Sequence, residues 1–118
     1  MAWEGAKVSR VGDMVSETVE MGELIAARHR IPAGFDSAPY YRDRGLPDGM
    51  CPCEHWCFLV SGRLRYRFND DTSVEVGPGE AFHLKAGHLA DVLEDSELVE
   101  FTRAEEYRRK SEHLRTRR

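Results

Sequence analysis

No part of this 118-residue chain approaches the ~20 consecutive apolar residues that a membrane-spanning helix requires, so a membrane role is not expected. The opening residues, Met1-Ala-Trp-Glu-Gly-Ala-Lys7, lack a basic segment followed by an apolar core, which predicts a cytoplasmic rather than an exported protein. Cysteine is scarce as well. Its three residues, Cys51, Cys53 and Cys57, are odd in number and crowded into one short segment, a poor disulfide framework and a better start for metal or redox chemistry. Excess positive charge is also missing. Residues 103–118 carry seven Lys/Arg against three Glu, so a whole-chain charge of −4 leaves −8 on residues 1–102. An acidic body excludes nucleic acid as the main partner, because phosphate binding rests on clustered Lys and Arg. Neither an internal repeat nor a low-complexity tract divides the chain, and one domain is expected.

What remains is an ordinary globular composition, 41% hydrophobic and 32% charged, patterned mainly for strands. Residues 14–20 and 23–31 read as a hairpin joined at Gly22. Residues 35–50 form a long polar loop broken by Pro39, Gly45, Pro47 and Gly49. A strand over 54–61 then stops at Gly62, and 63–68 alternates strictly, with Leu64, Tyr66 and Phe68 on one face and three arginines on the other. Further strands are expected at 73–76, 81–84, 89–93 and 97–102, the last two parted by a Glu94-Asp95-Ser96 turn. Strands at this spacing predict an all-β barrel or sandwich over residues 1–102. Residues 103–118 are rich in helix formers and predict a basic C-terminal helical tail, with Tyr107 and Leu114 on one face.

From Gly49 to Gly87 the chain resembles the two cupin motifs, in which His-x-His and Glu precede a Gly and a later Pro-x-Gly-x-x-His completes a metal site. Counting back from Gly62, His55 stands in the place of the glutamate, and Cys51 and Gly49 in those of the histidines. Counting on from Gly79, Lys85 replaces the proline and Ala90 the histidine. The segment Cys51-Pro52-Cys53-Glu54-His55-Trp56 is similar to one in a group of small bacterial cupins with a Cys-x-Cys-x-His-Trp element. The resemblance implies a double-stranded β-helix, a jelly-roll barrel with its motif region at 49–90, and a homodimer. The usual three-His-one-Glu ligand set it does not carry over.

In an extended segment residues 51, 53, 55 and 57 project to the same side. Thiolate and imidazole are ligands of choice for Zn(II), Fe(II) and Cu(I), so Cys51, Cys53 and His55 are expected to hold a divalent ion, zinc first and iron next. A Cys-x-Cys pair spans ~6.5 Å on a straight strand, and Pro52 supplies a bend that would let both sulfurs converge. His88, after Gly87, is the expected fourth ligand. His83 is the substitute fourth ligand, or a pocket-lining residue, if parity turns it inward; Tyr40 and Tyr41 from the loop also line the pocket, as does Cys57, or else Cys57 is a small buried apolar residue. His29, between Arg28 and Arg30, reads as a surface or otherwise satisfied histidine outside the site, and Trp56, on the face opposite His55, as a core or interface anchor. The basic tail suits docking on the acidic body of a second subunit. The function expected is a small metal-binding cupin, with or without enzymatic action on a small organic molecule. The alternative is a metal-free ligand-binding or thiol redox-sensing module.

Overall fold

Period-two alternation makes most of this chain strand, and the computed structural model, which describes residues 3–116, forms seven strands from it. They are β1 (Lys7–Val11), β2 (Met14–Met21), β3 (Leu24–Ile31), β4 (His55–Phe68), β5 (Ser73–Val76), β6 (Ala81–Leu84) and β7 (His88–Arg103). All described pairings are antiparallel, in the order β1-β2-β3-β7-β4-β5, with β6 pairing the first half of β4 and β5 the second. The sheet thereby curls around a core of Ile31, Leu59, Leu64, Tyr66, Val76, Leu84, Val92 and Leu98. Strand β1 escapes sequence reading because its Lys-Val-Ser-Arg-Val is exposed nearly throughout and forms an edge.

Two expected interruptions are absent. Gly62 does not end a strand, and Glu94-Asp95-Ser96 is not a turn: β4 and β7 run together from His55 opposite Thr102 to Phe68 opposite His88. The irregularity lies between Leu59 and Leu64, where the register shifts. Inward residues are accordingly odd-numbered before it (His55, Cys57, Leu59) and even-numbered after it (Leu64, Tyr66). Gly62 sits there at φ 95°, packed so closely on β7 that a Cβ would lie 2.2 Å from Ser96 Oγ. Only glycine allows both that backbone and that approach. The bulge bends the long strands and lets one hairpin serve both ends of the barrel.

The expected loop at 35–50 contains a short helix, α1 (Ala38–Asp43), with a proline in its first turn, and a 3₁₀ turn at Pro47–Gly49. The C-terminal helix, α2 (Ala104–Thr116), follows β7 directly and docks on its own barrel rather than standing free. Ala104 is buried, His113 Nε2 lies 2.8 Å from the Arg44 carbonyl, and Arg108 pairs with Glu20. Glu106, Lys110 and His113 make its polar contacts with the barrel and the α1 loop, and Tyr107 and Leu114 are half-buried beside them. Trp56 lies on the face opposite His55, as parity predicts, outside the core with Phe58 and Val60 and with the Arg103 guanidinium 4.9 Å from its ring centre. No helix among the described residues is long and apolar enough to cross a membrane.

Candidate metal centre

The first half of β4 turns its odd residues inward, and antiparallel pairing with β7 sets His55 against Thr102 and Cys57 against Glu100. Residues 52–54 belong to no strand, but Cys51 is anchored separately: its backbone N–H donates to the His88 carbonyl at 2.9 Å, and its own carbonyl accepts from Gly87 at 2.8 Å. This bridge brings the two cupin-like segments face to face. Cys51 Sγ and one nitrogen each of His55 and His88 lie within 4.8 Å of one another, on residues only 2%, 3% and 5% exposed.

Both imidazoles are held by their other nitrogen. His55 Nδ1 is 2.6 Å from Thr102 Oγ1, and His88 Nδ1 is 2.8 Å from the Lys85 carbonyl. A carbonyl only accepts, so His88 Nδ1 carries the proton and Nε2 keeps its lone pair. Thr102 can accept from His55 in the same way. His55 Nε2 lies 3.5 Å from Cys51 Sγ and 3.8 Å from Glu100 Oε2. Beyond Glu100 the polar chain continues: Oε1 is 2.6 Å from His29 Nε2, and His29 Nδ1 is 2.6 Å from Ser16 Oγ. His29 is thus the satisfied rather than the surface histidine of the two expected, since odd residues of β3 face the barrel interior, where Glu100 meets it.

Charge organises the cluster. A hydrogen bond from Cys53 holds the Cys51 thiol well below the usual thiol range; burial opposes this, and Lys110, His55 and His88 reinforce it. Lys110 reaches in from α2, its Nζ 3.2 Å from Cys51 Sγ, and burial of that ammonium is outweighed by Cys51 and the groups around it, which raise its proton affinity. Burial pulls His55 down, but Glu100 and Cys51 carry it above an ordinary histidine. Burial would likewise raise Glu100, yet His55 and His29 hold it well below the usual carboxylate range.

The remaining expected site residues fall in different places. Cys53 is buried but stands outside the converging trio. Its thiol donates to Cys51 and lies 3.6 Å from the Glu106 carbonyl, and that bond to Cys51, with burial, keeps it protonated. Cys57 packs in the apolar core, where burial and Glu100 push its thiol up, so it behaves as a small hydrophobe. His83 is not a pocket residue. It lies on the outer face, half exposed, 2.5 Å from Glu54 Oε2. Tyr40 does not reach the cluster either but stacks against Arg44, 3.9 Å from guanidinium to ring centre. Tyr41 does reach it, with its ring centre 5.3 Å from Lys110 Nζ.

Tyr66, Thr102, Glu100, His29 and Lys110 complete the surroundings, and sequence reading assigned none of them to the site. For Tyr66 a signal existed, since its inward face was legible. For the others, pairing partners far along the chain decide the outcome.

No protein-family model matches this chain, and no curated protein does. Solved structures do. The chain is similar to an oxalate decarboxylase of Lactobacillus farciminis, at 15% identity and TM-score 0.62 over 87% of this chain, and spans about a third (32%) of that protein. An RmlC-like cupin from Shewanella frigidimarina matches at 13% identity and TM-score 0.60, covering 85% of each chain. KdgF from a Halomonas species matches at 16% identity and TM-score 0.59, over 82% of this chain and 86% of that one. The fold is the cupin jelly-roll barrel.

Proposed function

We propose that this protein binds one divalent transition-metal ion through Cys51 Sγ, His55 Nε2 and His88 Nε2, leaving a position open for a small organic molecule. The observation that carries this reading is the convergence of three buried donors within 4.8 Å, with each imidazole steadied by a bond to its far nitrogen. Donor atoms around one tetrahedral ion stand roughly 3.3–3.8 Å apart, so side-chain rotation suffices to close the set. A thiolate with two imidazoles favours zinc, with iron next. Two of the structural neighbours with this fold are an oxalate decarboxylase and KdgF.

When bound, such an ion supplies a Lewis acid beside the open position. The chain's own residues supply the rest. Glu100, 3.8 Å from His55 and 2.6 Å from His29, is a carboxylate held ionised beside the two rings, which it orients. Lys110 and Tyr41 close the cluster on the α2 side and exclude water.

Elemental analysis of protein purified without a chelator or metal-binding tag tests the reading. About one zinc or iron per chain is expected in the wild type, falling to under a fifth in Cys51→Ser and His55→Ala. Equal metal in all three would sink it. A second reading has its own support: Cys51 Sγ faces an ammonium at 3.2 Å and bonds the protonated Cys53, an arrangement suited to a metal-free thiol sensor. Metal-free wild-type protein whose Cys51 is modified by iodoacetamide far faster than Cys53 would favour that alternative.

A further inference from the structure

We infer that the outer face of β6, β4 and β7, centred on Phe58, is an interface at which a second copy of this chain binds, related by a two-fold axis that crosses β4. The interface is independent of the metal reading and follows from what the sheet leaves uncovered.

Even-numbered residues of β4 before the bulge point outward, and Trp56, Phe58 and Val60 are 37%, 43% and 44% exposed. Cross-strand pairing widens that row. Phe101 and Val99 of β7 stand opposite Trp56 and Phe58 on one side, and His83 and Ala81 of β6 on the other. A groove of about 440 Å³ runs among Trp56, Phe58, Ala81, Phe82 and Phe101. Further along the sheet the chain covers this outer face itself, where Trp3 lies 5.1 Å from the Arg28 guanidinium and its backbone N–H donates to Glu17. Over the β4 row the described residues lay only the Arg103 guanidinium and the His83 ring, both at Trp56.

Area and charge identify the occupant. Three strands ~4.8 Å apart and five residues rising ~3.3 Å each make the bare apolar face roughly 14 by 17 Å. That is about a third of the ~800 Å² each partner buries in a stable interface, the share of an apolar centre within a polar rim. The partner must therefore match the rim as well, and the rim differs in sign at its two ends. Residues 103–118 begin at the Trp56 end and carry seven Lys/Arg against three Glu, an excess that Glu20, Glu23 and Glu54 beside them do not cancel. At the Val60 end Glu80, Glu94, Asp95 and Glu97 gather against Arg30 and Arg63. A partner of one charge sign matches one end and opposes the other. A second copy, turned so that its Trp56 end lies on the Val60 end, matches both. A two-fold axis lying in the interface and crossing β4 at Phe58 does this and sets Phe58 against the partner's Phe58. An axis along β4 would instead set each charged end on itself.

Sedimentation equilibrium of the full chain over micromolar to submillimolar concentration tests the interface, and a species of twice the 13.5 kDa chain mass is expected. Phe58→Lys places two ammonium groups together on the axis and should weaken the dimer at least about hundredfold. Val74→Lys, at an exposed apolar position on β5 beyond the bulge, should change it by less than about threefold. Circular dichroism melting checks the fold of each variant. A short bis-maleimide cross-linker tests the orientation without weakening the contact by charge, with wild type, whose cysteines are buried, as the control. Phe58→Cys should link to its own copy and Trp56→Cys should not. A wild type that stays monomeric throughout, or a dimer that folded Phe58→Lys leaves intact, overturns the inference. Trp56→Cys linking as readily as Phe58→Cys overturns it too, by placing the axis along β4.

Discussion

Thr102→Val isolates the hydrogen bond that fixes His55. Threonine and valine are nearly isosteric and both favour strands, so the exchange removes a hydroxyl and little else. Thr102 is 2% exposed, faces His55 across the β4–β7 pair, and holds Nδ1 at 2.6 Å. In the metal-free protein the change leaves a buried ring nitrogen without its partner, a cost of about 1–3 kcal/mol. With a urea dependence of roughly 1.5 kcal/mol per molar, the unfolding midpoint should fall by about 1 M. In the metal-loaded protein the same bond orients the ligand and sets its tautomer, and loss of such support weakens metal binding by about 10–100-fold. Zinc affinity, read by competition with a chromogenic chelator, measures the second effect, and urea titration followed by circular dichroism the first. Thr102→Ser restores the hydroxyl and should recover most of both. Zinc affinity within twofold of wild type in Thr102→Val would refute the role given to His55.

Gly62→Ala should destabilise the barrel strongly. A Cβ there meets Ser96 Oγ at 2.2 Å and the Asp95 carbonyl at 2.5 Å, and φ 95° adds its own strain, for a total of about 2–5 kcal/mol. A melting temperature lowered by more than about 10 °C is expected, and one within ~3 °C of wild type would show that the bulge relaxes freely. The pH dependence of the metal-free protein follows from His55 and Glu100. His55 titrates above the ordinary histidine value of about 6.5, so its contribution is full below that pH and is lost as pH rises through the raised value. Glu100 titrates below the ordinary carboxylate range, so its contribution is full above about pH 4.5 and is lost as pH falls. These two contributions are together greatest between about pH 4.5 and 6.5. The Cys51 thiolate, by contrast, adds stability as pH rises toward the ordinary thiol range, so the test uses Cys51→Ser protein. In that variant a urea midpoint still rising from pH 6 to pH 9 would contradict this assignment.

Much of the barrel was legible in the sequence because side-chain direction along a strand is a local property. The alternation of Leu64, Tyr66 and Phe68 against Arg63, Arg65 and Arg67 needs only the backbone's period of two, and these residues take the faces expected. Cys51 and His55 were legible as candidate ligands for a similar reason: crowded thiols beside an imidazole at spaced positions signal a ligand set before any fold is known. Parity held through this segment, since Cys51, Cys53, His55 and Cys57 are all buried and the residues between them are not. What it did not supply is which of the four converge: Cys53 stands beside α2, 3.6 Å from the Glu106 carbonyl, outside the trio.

Tertiary structure alone decided the rest. His29 joins the site through Glu100, Thr102 through His55 and Lys110 through Cys51, contacts spanning 71, 47 and 59 residues of sequence. Each depends on the register of β7 against two neighbours and on the bend at Gly62, which determine where distant side chains meet. No local pattern encodes such a meeting. The sequence by itself determined an all-β barrel and a Cys/His cluster, through turn residues, alternation and residue chemistry. The charge of that cluster, its buried Tyr66 hydroxyl and the ammonium that α2 lays against it came from the closing of the sheet, because electrostatics depends on distances in space and not on positions along the chain.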